Sequence, residues 1–260
     1  MSFINYQSFN EFNNIAHFCT TRIGGVSVGN YSSFNISPFS GDNAENQNEN
    51  LQILCKKFSI ESDNIIFPFQ THDTVVKNID ETFFQLKKNE RIEYLNGVDG
   101  LITSLQGICI GVTTADCVPI MYYDAVNKVI AVAHAGWRGT CGKIAAKTIE
   151  KMGTDFGCDP NDIFAVIGPS ISQQVYNVGE EVLHAFEVAG FPVDIFFETR
   201  NNELFLDLWN ANRWLLTESG IPEQQIEMAG ICTFSENEKF FSARRLGIKS
   251  GRMLSGIMLK

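Results

Sequence analysis

Between Gly107 and Gly153 the chain sets out three apolar runs and one helical pattern almost without a gap, and this block limits the fold more than any other segment. Ile108–Thr114 and Val118–Tyr123 are rich in β-branched and aromatic residues. Asp124-Ala125-Val126-Asn127 then reads as a hairpin turn before Val129–Ala133. Runs of this composition are core strands. From Gly139 onward Ile144, Ala145, Thr148, Ile149 and Met152 recur at helical spacing, with Gly153 where a C-terminal cap belongs. His134-Ala135-Gly136-Trp137-Arg138-Gly139 is therefore a strand-to-helix connection, and a helix start there would offer free amides and a favourable dipole to an anion.

The flanking segments extend the pattern. Thr20–Ser37, rich in Gly, Ser and Asn, reads as a tight loop, and a helix is predicted from about Asn48 to Phe58. Ile65–Gln70 is an extended run that places His72, in Thr71-His72-Asp73, at a strand end. Ile163–Ile167 reads as a buried strand closed by Gly168-Pro169-Ser170. Val178–Ala189 and Asp207–Ser219 read as helices followed by Gly190 and Gly220, and Lys239–Ala243 as a strand. Repeats, low-complexity tracts and linkers are lacking, so residues 1–260 are read as one domain. Strands and helices mix without regular alternation, which points to an α+β fold.

Composition narrows the partners. A formal net charge of −10 with no basic stripe is wrong for holding a polyanion by counterion release, so nucleic acid polymers and anionic membranes are not expected partners. A small phosphate-using substrate remains compatible, because one or two arginines in a pocket suffice. The seven cysteines show no CxxC pair and no framework spacing, which suits a reducing compartment. The N-terminal residues lack the basic start and apolar core of a signal peptide, and no run approaches the roughly 18 apolar residues of a membrane span. The expectation is a cytoplasmic protein, monomeric or a small homo-oligomer.

Only four histidines occur, His17, His72, His134 and His184, and two of them follow strands directly. Cys117 lies in Thr113-Thr114-Ala115-Asp116-Cys117-Val118-Pro119, at a break between two apolar runs. His72, Cys117 and His134 stand 45 and 17 positions apart, too far for a zinc-finger clip, so a metal there would join distant parts of the fold. Two imidazoles and a thiolate match the catalytic zinc pattern of three protein ligands and one open position. Taken singly, Cys117 reads equally as a small buried hydrophobe, and the two histidines as hydrogen-bonded structural residues. Arg22 and Arg138, in glycine loops, serve either loop bracing or anion binding. Trp137 reads as a packing aromatic and Asp207 as a helix N-cap.

Six segments in order change these odds: Thr21-Arg22-Ile23-Gly24-Gly25-Val26-Ser27, Gln70-Thr71-His72, Asp99-Gly100-Leu101-Ile102-Thr103, Thr114-Ala115-Asp116-Cys117-Val118-Pro119, His134-Ala135-Gly136-Trp137-Arg138-Gly139-Thr140 and Ser242-Ala243-Arg244-Arg245. From about residue 17 to the C-terminus the chain resembles the YfiH or laccase-domain family, also known as polyphenol oxidases and purine nucleoside phosphorylases. The resemblance implies an α+β fold with a central β-sandwich flanked by helices, of αββα type. It implies a zinc site on His72, Cys117 and His134, which would also be the catalytic residues, and a substrate or phosphate role for Arg22 and Arg138. The chain departs from the family pattern at Ser170, Ser172 and Asn177, where Cys, Gly and Glu are commoner.

Three reactions follow from this resemblance. The first is phosphorolysis of adenosine, inosine or methylthioadenosine, with adenosine deamination at the same centre. Phosphate would be held by Arg22, Arg138 and the helix start near Gly139 and Thr140. The H-x-E…P-C-x-x-C signature of the familiar zinc deaminases is absent, so Asp73 and Asp116 are only candidate proton carriers. The second is copper-dependent phenol oxidation, for which a multi-copper centre needs about ten histidines, although a lone copper could substitute for zinc in one site. The third is amide hydrolysis, as in editing of peptidoglycan precursors, with Cys117 as nucleophile and His134 as base. A zinc-stabilised binding module is the non-enzymatic alternative.

Overall fold

The computed structural model describes residues 2–260. Two β-sheets lie face to face. One has five strands in the order Phe3–Ile4, Ile15–Thr20, Met253–Leu259, Cys109–Thr114 and Ile65–Ile66. The other has six, in the order Ile226–Met228, Ile163–Ile167, Val118–Asp124, Val129–Ala135, Gly100–Thr103 and Val76–Asn78. A separate three-stranded sheet is formed by Asn177–Val178, Glu203–Leu206 and Phe197–Arg200.

The period of two along the central strands sorts side chains between layers. Met121, Tyr123, Ile130 and Val132 point inward to meet Ile110, Val112, Met253 and Ile257 of the opposite sheet. On the outer side of the six-stranded sheet Val118, Ile120 and Tyr122 pack with Ile144, Ile149 and Met152 of the helix Ile144–Phe156 and with Leu208 and Leu215 of the helix Leu208–Glu218. Phe18, Cys109 and Leu254 cover the other outer side against Leu54 and Cys55 of the helix Ala44–Phe58. The layer order is helix, sheet, sheet, helix, the αββα sandwich of an α+β fold.

The apolar block behaves as its composition predicts, since Cys109–Thr114, Val118–Asp124 and Val129–Ala135 are buried at every position. The hairpin turn is held by Asp124, whose Oδ1 accepts the amides of Val126 and Asn127 at 2.8 Å each. The sequence does not announce that the first two runs belong to different sheets. The chain crosses between layers at Ala115–Cys117, with Asp116 at φ 94°.

Four expectations need correction. The helix expected from about Asn48 starts at Ala44, because the Asn43 side chain accepts the amides of Glu45 and Asn46 and caps it there. Gly153 lies inside its helix, and Gly157 at φ 70° is the cap. The extended run Ile65–Gln70 joins the five-stranded sheet only at Ile65 and Ile66; Pro68 has no N–H to offer a ladder, and Phe69 makes a lone bridge to Asn96 instead. Lys239–Ala243 is not a strand. It passes through turns into the short helix Ala243–Leu246, and the strand that closes the sandwich is Met253–Leu259.

Candidate active site

The crossover brings three candidate donors together. Pro119 pairs with His134 and Val118 with Ala135, so Cys117, one residue before its strand, lies beside the end of the His134 strand. His72 arrives from the turn after Phe69, at φ 64°, a left-handed conformation that histidine tolerates better than bulkier residues. One nitrogen from each histidine and Sγ of Cys117 all lie within 4.8 Å of one another. The two imidazoles meet edge to face with centroids 4.8 Å apart. Gly136 closes the back of the cluster, where a Cβ would stand 3.0 Å from Cys117 Sγ and 3.2 Å from His72 Cδ2, so only glycine leaves both side chains their room.

Asp99 organises the cluster. Fully buried at the start of the Gly100–Thr103 strand, it accepts the amides of Thr71, His72 and Asp73 at 3.1, 3.0 and 2.9 Å. The same carboxylate meets His134 Nδ1 at 2.8 Å. One side chain thus fixes the backbone of the first histidine and the ring of the second. Burial works against the charged form, but His134 and the amides outweigh it and hold the Asp99 carboxyl below its usual range. With Nδ1 directed at Asp99, Nε2 of His134 is left for the cluster.

Electrostatics agree with that orientation. Burial pushes the Cys117 thiol up, yet His134 and His72 reverse the effect and bring it down to about 6. Burial likewise opposes a charged His134, while Cys117 and Asp99 raise it to about 9. A thiol that ionises readily beside two imidazoles is a donor set for a borderline-soft cation such as zinc. Tetrahedral zinc with bonds of about 2.0–2.3 Å spaces its ligand atoms about 3.3–3.8 Å apart, a spacing that donors within 4.8 Å of one another can meet by small side-chain movements. The carboxylate on the far nitrogen of His134 is the partner that metal-binding histidines ordinarily have.

The donors open onto a cleft of about 360 Å³ lined also by Phe39, Phe69, Gln70, Ala243 and Arg252. A second cleft, lined by Tyr176 and Arg244, adjoins the first along Ala115, Cys117, Ala243 and Ile248. Arg22 does not line either one. Its Nε and Nη1 donate to the carbonyls of Ser32 and Asn237 at 2.7 and 2.8 Å, and its guanidinium lies over Phe241, which is the bracing role of a loop folded on itself. Arg138 is exposed and stacked on Trp137, 4.1 Å from the ring centroid, and it too lines neither cleft.

Gly139 lies in the first turn of a helix, as its third residue, and Thr140 follows it. The short helix Trp137–Cys141 begins earlier, from Gly136, and Thr140 is fully buried with Asn212 Nδ2 donating to its Oγ1 at 3.0 Å. A Cβ on Gly139 would stand 3.1 Å from the His134 carbonyl, so that residue serves close packing. Neither Gly139 nor Thr140 lines the two clefts, whose cations are Arg252 and Arg244. Sequence reasoning overlooked Asp99 as an organiser, although it opens one of the quoted segments. It also overlooked Arg252, which carries no signal beyond a glycine before it.

Asp116 has a mechanical part. Its carboxylate accepts from Thr233 Oγ1 at 2.8 Å, Ser242 Oγ at 3.0 Å and the Arg244 amide at 2.7 Å, pinning the Ser242–Arg244 turn beneath the clefts. Asp116→Ala strands two buried hydroxyls and the part-buried Arg244 amide and leaves alanine at a positive φ. A loss of about 2–4 kcal/mol is expected in urea unfolding, with Asp116→Asn losing less, and an unchanged midpoint for alanine would refute the role.

The match to known proteins covers nearly the whole chain. The model of the family described as multi-copper polyphenol oxidoreductase laccase matches residues 16–260. The chain belongs to this laccase-like family. A purine nucleoside phosphorylase of Bacteroides thetaiotaomicron is 45% identical over 258 residues, covering 98% of this chain and 96% of that protein. A protein from an unknown prokaryotic organism, adenosine deaminase RL5, is 42% identical and covers 94% and 93%. Among solved structures, the laccase-like fold recurs in the YfiH protein of Bacillus licheniformis with a TM-score of 0.92, 32% identity, and coverage of 100% and 97%.

Proposed function

We propose that this laccase-like chain is a zinc-dependent purine nucleoside phosphorylase with adenosine deaminase activity, its metal held by His72, Cys117 and His134. The observation that carries the reading is Asp99, which fixes His72 and His134 around Cys117 at the head of an open cleft. The names of the 45% and 42% identical relatives supply the substrate class. A zinc ion there would supply Lewis acidity and a water of lowered pKa, the chemistry that deamination at C6 of adenine requires.

Phosphorolysis asks this chain's residues mainly to position and to neutralise charge. An oxygen of hydrogen phosphate bonds to the ribose C1′ as the C1′–N9 bond breaks, the bonding pair leaves with the purine, and the phosphate proton ends on the base. Arg244, whose guanidinium lies 5.2 Å from the Tyr176 ring centroid, suits the anion, and exposed Arg138 is the second candidate. Arg252 lines the wider cleft, but its guanidinium donates to the carbonyls of Ile248, Ser250 and Gly251, so it contributes positive charge there rather than free donors.

The ligand inventory favours zinc over a multi-copper centre. His17 Nε2 accepts the Tyr6 amide at 3.0 Å, and His184 lies exposed beside Glu187, so two of the four histidines stand elsewhere. Copper is compatible with the same three donors as a substitute. The low Cys117 thiol beside His134 favours amide hydrolysis as the second reading.

Metal analysis of protein purified without added metals, followed by incubation with adenosine and phosphate and chromatography of the products, tests the choice. About one zinc per chain and adenine formed only with phosphate is the expected result, with inosine marking deamination. Turnover that survives chelation but not thiol alkylation would replace this reading with the cysteine hydrolase.

A further inference from the structure

Of the 21 phenylalanines in the chain, only Phe39 and Phe69 are exposed among the described residues, at 48% and 42%. Both line the cleft that holds His72, Cys117 and His134, and they touch each other edge to face with centroids 4.9 Å apart. They come from separate parts of the chain. Phe69 is seated by its amide on the Leu95 carbonyl at 3.0 Å. Phe39 stands on a loop whose Ser37 carbonyl accepts from Gln47 Nε2 at 2.8 Å and Ser40 Oγ at 2.9 Å. Two aromatic faces held open to water on a braced backbone forgo the burial that the other 19 ordinarily find, and a flat apolar ligand would supply it.

We propose that the Phe39–Phe69 pair is the platform on which the purine of the nucleoside stacks. The inference rests on the nucleoside reading given above and extends it to the base. The arrangement fits the chemistry of displacement at C1′, where the nucleophile and the departing base occupy opposite sides of the carbon. The aromatic cleft and the Tyr176–Arg244 cleft adjoin along Ala115, Cys117, Ala243 and Ile248, so a ribose placed at Cys117 can have its base toward the phenylalanines of the first and its phosphate toward Arg244 of the second. Gln70, between Phe69 and His72 in sequence, holds both amide and hydroxyl of Thr113 with Oε1 and the Thr113 carbonyl with Nε2, which leaves stacking as the main grip on the base.

The test is equilibrium dialysis of labelled adenosine against the metal-loaded protein, beside phosphate-dependent turnover, for the wild type, F39A, F69A and F69W. Loss of one stacking ring is expected to weaken adenosine binding, and raise its KM, about 5- to 150-fold. F69W should keep the affinity, and zinc content and the KM for phosphate should stay unchanged. Unaltered adenosine affinity in both alanine variants overturns the platform while wild-type turnover preserves the phosphorylase reading. Wild-type binding that depends on the two rings but yields no adenine supports the platform and overturns the reaction. A wild type that neither binds nor converts adenosine overturns both.

Discussion

Cys117→Ala should yield a folded protein without its metal and without nucleoside turnover, the latter lowered by more than about a thousandfold, as for other residues on which a catalytic centre depends. The side chain is partly exposed at the crossover, and the strands after it are buried on their own account, so removing one sulfur should change stability by no more than about 1 kcal/mol. Two imidazoles alone remain, and His134 loses the thiolate that raises its basicity. Metal stoichiometry by mass spectrometry and adenine release by chromatography check the result. Serine at the same position should do little better, because its hydroxyl is a poor substitute for a thiolate on zinc. A variant that keeps both metal and turnover would overturn the ligand assignment.

Asp99→Ala should be the more damaging change to the architecture of the site, although Asp99 touches no substrate. The variant frees three backbone amides at Thr71–Asp73 and the Nδ1 proton of His134. Partners of metal-binding histidines typically contribute 10- to 100-fold in metal affinity or activity. Here the same carboxylate also fixes the turn that presents His72, so a weakening of zinc affinity beyond about 100-fold is expected, together with about 3 kcal/mol of stability from the stranded donors. Asp99→Asn keeps the shape and one acceptor for His134, and should fall between the two. Competition titration with a chelating dye reads the affinity and urea unfolding the stability. Zinc affinity unchanged in Asp99→Ala would show that the histidines are positioned by something else.

The parts of this molecule legible in its sequence are those governed by local pattern. Unbroken apolar runs announced the strands Cys109–Thr114, Val118–Asp124 and Val129–Ala135, and the spacing of Ile144, Thr148, Ile149 and Met152 announced the helix behind them. Ile163–Ile167 and the Asp207 cap were equally plain. The resemblance carried what pattern could not, namely that His72, Cys117 and His134, far apart in the chain, are neighbours in space. What stayed hidden depends on tertiary partners. Asp99 becomes an organiser only because strand pairing sets it under the His72 turn. Arg22 is withdrawn from the cleft by carbonyls of residues 32 and 237, and Thr140 is claimed by Asn212 from a helix some seventy positions away. Met253–Leu259, for which no strand is predicted, gains its place from its two neighbours, Ile15–Thr20 and Cys109–Thr114.

The clasp that Asp99 places on residues 71–73 has a consequence for how the protein lives among competing ions. A receptor whose donors are already arranged by the fold has no disordered loop to collapse when the ion arrives, unlike small domains in which loading and folding are one event. Were an ion held there, loading and release would proceed without disturbing the sandwich, and the emptied protein would survive to be filled again. Such a socket discriminates by the softness of its donors and by its geometry, and among ions that satisfy both it takes what the surroundings supply. The occupant, and with it the chemistry, would follow the metal supply of the compartment.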